Sequence, residues 1–571
     1  MLGPIFAREC RTLPRQAWLY VGRCAYLAFL WLLAFTAWQV LLGPESVPTL
    51  SRMAAFSALL FELLATVQFA LILFLSALMS VTAISREKDR RTFELLLVTD
   101  LSDSEIVLGK LFGSILPSAM LLLAAVPLML AVTLLGGVGP AQVAQTTVAT
   151  TTAALATAAL GCRVALWRDR TLPALALTVM GVLLYVGVAR ALDAPLALDP
   201  YQVLRLGIEG PPGMAVWTPV GSFAVAMLGL GTLLTISGVR RLRVSSHAGR
   251  RQPEGPREPP LAASIRRRAR PVWDNPILWR EVCTRGYGRR PILAKLAYGG
   301  ALALAIALGS RAQPAAAWTL VPVTILSLLL VAAQAVSAVA VERDSGALDV
   351  LLATDVTPGE FIFGKLGGIA YNVKEYVLAP LGLVVVHACL GQLATPPRNH
   401  PEMLLGRNIE AAACFAVALL VLFAFVAVLG LHVGLRNDDS RYALYATLAV
   451  VFLLATGTLL CVYLIVIQRR FEYQWISFVL FLGAEVAGLW WVLRADRPSS
   501  AITLTSWLCP LAIFYAVNSL LIGTPGSGAS ADPLLPFLVV VGVFGWGIAA
   551  LLVPLLSNFD VTLGRTTAPP A

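Results

Sequence analysis

Apolar runs about as long as a bilayer is thick follow one another down the chain, parted by short polar stretches. They lie near 18–42, 56–84, 111–136, 142–166, 172–190 and 215–238, then near 291–309, 316–341, 366–391, 410–434, 442–467, 475–493, 502–522 and 535–557. A helix of roughly 20 apolar residues crosses about 30 Å of hydrocarbon, where only helices or closed barrels satisfy their own backbone. The pattern predicts an all-α fold, a polytopic transmembrane helical bundle of about 12–14 spans. The runs at 475–493 and 502–522 have no partner in the first half, and either fits a re-entrant hairpin as well as a span. Ahead of the first run, Ile5, Phe6 and Leu13 alternate with Arg8, Glu9, Arg11 and Arg15, as in an interfacial helix. The run from Ala25 to Leu42 has full span length and no A-x-A site after it, so it reads as a span and not a cleavable signal.

The polar stretch between the second and third runs occurs twice. EKDRRTFELLLVTDLSDSEIVLGKLFG, from Glu87 to Gly113, returns 255 residues later as ERDSGALDVLLATDVTPGEFIFGKLGG, from Glu342 to Gly368, with 11 of 27 positions identical and no gap. GPIFARE at Gly3–Glu9 returns as NPILWRE at Asn275–Glu281. Each echo precedes an apolar run, so the repeated unit is a whole membrane domain. Residues 1–240 form a first domain of about six spans, 241–271 a linker, and 272–571 a second domain of six to eight spans.

Within each copy the local grammar is readable. Glu94 to Val98 is a short apolar run that Thr99-Asp100 breaks. Ser102-Asp103-Ser104-Glu105 is a capping box, and the second copy repeats it as Thr357-Pro358-Gly359-Glu360 with Pro at the favoured first helical position. The prediction is two short helices at an angle, joined at T-D, the second running on into the next span.

These residues resemble the permease subunits of type-2 ABC transporters, whose connection between spans two and three reads R-E-x-x-x-G-T-x-E-x-L-L-x-T-P-L-S-x-x-E-I-x-x-G-K. The first copy matches at Arg86, Glu87, Thr92, Glu94, Leu96, Leu97, Thr99, Leu101, Ser102, Glu105, Ile106, Gly109 and Lys110. The second matches at Glu342, Gly346, Asp349, Leu351, Leu352, Thr354, Glu360, Gly364 and Lys365, with Thr357 in place of the serine. Val341 and Ala347 replace the Arg and Thr, and Asp100 and Asp355 replace the Pro. The lead-ins, Pro4, Arg8 and Glu9 and again Pro276, Arg280 and Glu281, look like the same family. The resemblance implies two tandem permease domains whose repeated segments are coupling helices for separate ABC ATPase subunits, with neither ATPase motif nor cofactor in this chain.

Charge orients the reading. The chain is 58% hydrophobic and 13% charged, about half the charged share of a soluble protein. Residues 240–290 hold fourteen Arg against four acidic residues, so nearly all of the net +11 sits in one Pro-rich stretch. By the positive-inside rule that linker is cytoplasmic, which puts both termini and both repeated segments inside and the chain in the inner, cytoplasmic membrane. The loop Gln468-Arg469-Arg470 then falls outside, against the rule. With spans on both sides and no recognition fold, the arginines do not point to nucleic acid.

Eight scattered Cys and four isolated His leave no pattern for a metal or disulfide framework. Gly359 to Lys365 satisfies G-x-x-x-x-G-K, but Leu366 stands where a P-loop needs Ser or Thr, and the stretch lies inside a capped helix. Glu62, Glu485 and the neighbours Lys374 and Glu375 are the ionisable groups inside predicted spans. They make no array of paired acids on broken helices, which disfavours an ion-coupled carrier.

The sequence thus predicts a permease component, not an enzyme, in an ATP-driven exporter whose substrate it does not reveal. A scaffold or mechanotransmitter driven by the same kind of ATPase is the alternative. That reading needs a large external domain, and the loops at 191–214 and 392–409 are too short for one.

Overall fold

The computed structural model describes residues 3–12, 17–42, 49–89, 92–168, 171–210, 217–249, 272–283, 291–309, 315–344, 346–393, 404–437, 439–457, 475–493, 499–522, 534–557 and 559. It is helical throughout, with no strand among these residues. Among the described residues, eleven helices are long and apolar enough to cross a membrane, and shorter apolar stretches run at Lys295–Ala307, Tyr442–Ala455 and Val479–Leu493. Every apolar run read from the sequence is thus a helix, in whole or in part. The helices Pro291–Gly309 and Trp475–Leu493 each run 19 residues, and the run at 442–467 lies partly outside the described residues.

The first half runs α1 (Pro4–Thr12), α2 (Ala17–Leu41), α3 (Leu50–Asp89), α4 (Phe93–Val98), α5 (Asp103–Thr133), α6 (Pro140–Trp167), α7 (Thr171–Ala191), α8 (Pro200–Glu209) and α9 (Trp217–Gly249). The second runs α10 (Pro276–Cys283), α11 (Pro291–Gly309), α12 (Ala315–Asp344), α13 (Ala347–Leu352), α14 (Pro358–Cys389), α15 (Leu404–Arg436) and α16 (Ser440–Phe452), which ends in a π-helical turn at Leu453–Gly457. It closes with α17 (Trp475–Leu493), α18 (Ser500–Ile522) and α19 (Leu534–Ser557). Helix α9 continues past residue 240, and the Arg-rich stretch 250–271 lies outside the described residues.

Both halves pair their helices alike. α1 packs on α5 and α10 on α14; α3 packs on α5, α6 and α7, and α12 on α14, α15 and α16. The pairing of α6 with α9 has its parallel in α15 with α19, which leaves α17 and α18 as the second half's additions. The halves meet through α7 against α11 and α12, and one apolar core runs through both, holding Val81 and Ile84 of α3 together with Val336 and Val339 of α12.

The ionisable groups inside spans resolve differently from their sequence neighbourhood. Glu375 pairs with Lys295 of α11, not with the adjacent Lys374, which sits 4.1 Å over the Tyr371 ring. Successive helical residues point about 100° apart, so i and i+1 do not face each other. Glu62 is exposed, and Glu485 is buried in α17.

Candidate functional site

At one end of the bundle, α3 stops at Asp89, α4 makes less than two turns, and α5 begins; α12, α13 and α14 do the same in the second half. Both capping boxes are complete. Ser102 N–H donates to Glu105 Oε2 at 3.0 Å, and Glu105 N–H returns a bond to Ser102 Oγ at 3.3 Å. Thr357 N–H donates to Glu360 Oε2 at 2.9 Å, and Glu360 N–H to Thr357 Oγ1 at 3.2 Å. The cap dihedrals agree too, φ −70 and ψ 149 against φ −73 and ψ 152. Each T-D threonine closes the short helix before it, Thr99 donating to Leu96 O and Thr354 to Leu351 O, both at 2.6 Å. The elbow is therefore built from side chains, twice.

The short helices begin differently. Thr92 precedes α4 and donates from its backbone to Glu87 O at 2.9 Å. Gly346 precedes α13 at φ +71, a left-handed conformation that a side chain would strain.

The lead-in helices dock on the capped helices through small residues. A Cβ at Gly109 would lie 3.0 Å from Ile5 Cβ, and one at Gly113 3.0 Å from Glu9 Cγ. In the second half a Cβ at Gly364 would lie 2.8 Å from Ile277 Cβ, and one at Gly368 2.5 Å from Glu281 Cβ. Glycines four apart let the backbones approach, as in small-x-x-x-small membrane contacts. Pro4 and Pro276 begin these lead-in helices. The lead-in expected at a lipid interface is thus seated on protein, with Ile5 and Ile277 buried.

That docking brings distant charges together. Lys110, only 6% exposed, pairs with Glu87 and lies 3.8 Å from Glu9. Lys365, fully buried, lies 2.6 Å from Glu281 and 2.7 Å from Glu342, and donates to Ala338 O at 3.0 Å. Arg280 also pairs with Glu342, whereas among the described residues Arg8 reaches Glu9 alone, at 3.5 Å. Each lysine is buried against two carboxylates, one from the lead-in and one from the preceding span. Gly359 to Lys365 is helix throughout, with Lys365 turned into this cluster.

The residues taken from the sequence as one segment divide in two. Glu87, Gly109 and Lys110, with Glu342, Gly364 and Lys365, hold the lead-in, the span and the capped helix together. Thr92, Glu94, Thr99 and Ser102, with Gly346, Asp349, Thr354 and Thr357, stay on the surface. Large apolar side chains join them there: Leu95 is 69% exposed, Val98 76% and Val350 70%. Leu95 and Val350 occupy the same place in the repeat.

One pair escaped the sequence reading. Lys88 Nζ donates to Ala165 O, Leu166 O and Arg168 O at 2.7–3.0 Å, capping the C-terminal end of α6. Arg343, at the matching position, donates to Gly434 O at 2.9 Å, to Leu435 O at 2.5 Å and to Asn437 O at the end of α15. A cation suits the carbonyl end of a helix. The signal was a basic residue in both copies, hidden because Lys and Arg do not count as identical.

A cavity of about 290 Å³ opens beside the first cluster, between Arg8, Glu9, Arg86, Glu87, Lys110 and Tyr445 of the second half. Arg86 also borders a smaller one, of about 40 Å³, that Val341 and Asp344 line from α12. No group of His, Cys, Asp and Glu suited to a metal ion occurs among the described residues.

Neither a curated protein nor a solved structure matches the chain. Residues 5–204, from α1 into α8, match the family model described as ABC-2 family transporter protein, so this stretch, with its apolar helices and capped elbow, is similar to that family.

Proposed function

We propose that the chain is the permease of an ATP-driven exporter, with two ABC-2 units fused in tandem and each offering its short helix, α4 or α13, to a separate ATPase subunit on the cytoplasmic side. The observation that carries this is the exposure of Leu95 and Val350 at matched positions on two helices outside the apolar spans. Apolar side chains in the spans have lipid to cover them; these need a protein partner. Glu94 and Asp349, the residues just before them, are exposed as well, about 100° round each helix.

ATPase closure would push α4 and α13. The capped elbows would pass that push into α5 and α14, and the lysine clusters would carry the lead-in helices along with them. The basic linker would stay inside against anionic headgroups, with both termini in the cytoplasm. Substrate is not specified by these residues. The test is purification of the tagged chain from its native membrane: a soluble ATPase with a Walker motif should copurify, and the chain stripped of it should not hydrolyse ATP. Turnover by the isolated chain would end this reading.

A further inference from the structure

We propose that the 290 Å³ cavity between α1, α3, α5 and α16 binds a phosphate-type anion, either the headgroup phosphate of an acidic lipid or free phosphate. Its wall carries three cations, Arg8, Arg86 and Lys110, against two carboxylates, Glu9 and Glu87. Lys110 is satisfied by both carboxylates, and Arg8, 64% exposed, leans on Glu9 alone. Two buried atoms of this wall are without a hydrogen-bond partner, Arg86 Nε and Glu87 Oε2. A guanidinium stays charged at any physiological pH, and a buried charged donor lacking an acceptor is destabilising. An acceptor from outside the chain would satisfy the Arg86 donor.

The rest of the wall fits an oxyanion. Thr82 and Tyr445 bring hydroxyls from the two halves, 2.6 Å apart, and Ser114 adds a third from α5. Thr82 and Ser114 already donate to Leu78 O and Leu111 O, so of the three hydroxyls Tyr445 is the one whose proton can turn to the anion. The single excess positive charge matches a phosphodiester, and a guanidinium fork can take two of its oxygens at once. In the second half Val341 stands at the position of Arg86, and Arg280 is committed to Glu342, so the same chemistry is not assembled there. The site stands whether or not α4 and α13 dock an ATPase.

The test uses the full chain in detergent with two separate arms. Native mass spectrometry follows retention of phosphatidylglycerol against phosphatidylcholine, and thermal unfolding follows protection by inorganic phosphate. Wild type should retain one phosphatidylglycerol if the source is lipid, or be protected by phosphate if it is free anion. Arg86→Gln should weaken the responding arm by about tenfold or more, the loss expected for a charge-assisted pair. Tyr445→Phe should weaken it less, and Arg205→Gln, a surface arginine of α8, should match wild type. If Arg86→Gln fails to fold, Thr82→Val combined with Tyr445→Phe takes its place. No response in either arm, or equal loss in Arg86→Gln and Arg205→Gln, overturns the proposal.

Discussion

The two lysine clusters share a plan and differ in how tightly they are closed. Lys365 is fully buried and held by Glu281 and Glu342, with Arg280 closing over Glu342. Lys110 pairs with Glu87, but Glu9 stands back at 3.8 Å and Arg8 turns to solvent, leaving a cavity that Arg86 borders. The lead-in contacts follow the same order, closer at Gly368 than at Gly113. One half has a sealed joint between lead-in, span and capped helix, and the other an open one. The open joint also carries the fuller family motif, including Arg86 and Thr92. The contrast suits one half that keeps shape while the other moves or takes a ligand.

The sharpest way to break that comparison is to remove the lysines. Lys365→Met leaves two carboxylates without their buried partner and should cost about 3–5 kcal/mol, read as lost expression and a lower unfolding temperature in detergent. Lys110→Met should cost less, because Glu9 stands farther from it and Arg8 already faces solvent. Equal losses would erase the distinction between sealed and open. Packing comes next. Gly368→Ala forces a methyl against Glu281 and should destabilise by about 1–3 kcal/mol, and Gly113→Ala by less. The caps come last. Ser102→Ala and Thr357→Ala should each cost about 0.5–2 kcal/mol locally, too little to unfold the bundle. Transport per ATP hydrolysed should fall while insertion stays normal, and fall less for Thr357→Ala because Pro358 still fixes the first helical position. Unchanged coupling in both would reduce the elbows to connectors.

How much of this was legible depended on distance along the chain. Spans, elbows and caps are local, written in apolar run length and in S-x-x-E spacing, and Ser102 and Thr357 begin their helices where those signals put them. The lysine clusters were not. They join Lys110 to Glu87 and Glu9 across three helices, and a motif line displays these residues without saying that they touch. Lys88 and Arg343 were hidden likewise, since the carbonyls they cap belong to helices far along the chain.

The central claim is that both short helices present apolar surface to an ATPase. The most direct measurement is the amount of ATPase retained by tagged chains carrying Leu95→Asp, Val350→Asp or both, at equal membrane insertion. The account predicts partial loss for each single variant, larger for Leu95→Asp because Val98 stands exposed beside it, and near-complete loss for the double. Retention of the ATPase by the double variant at the wild-type level would contradict it.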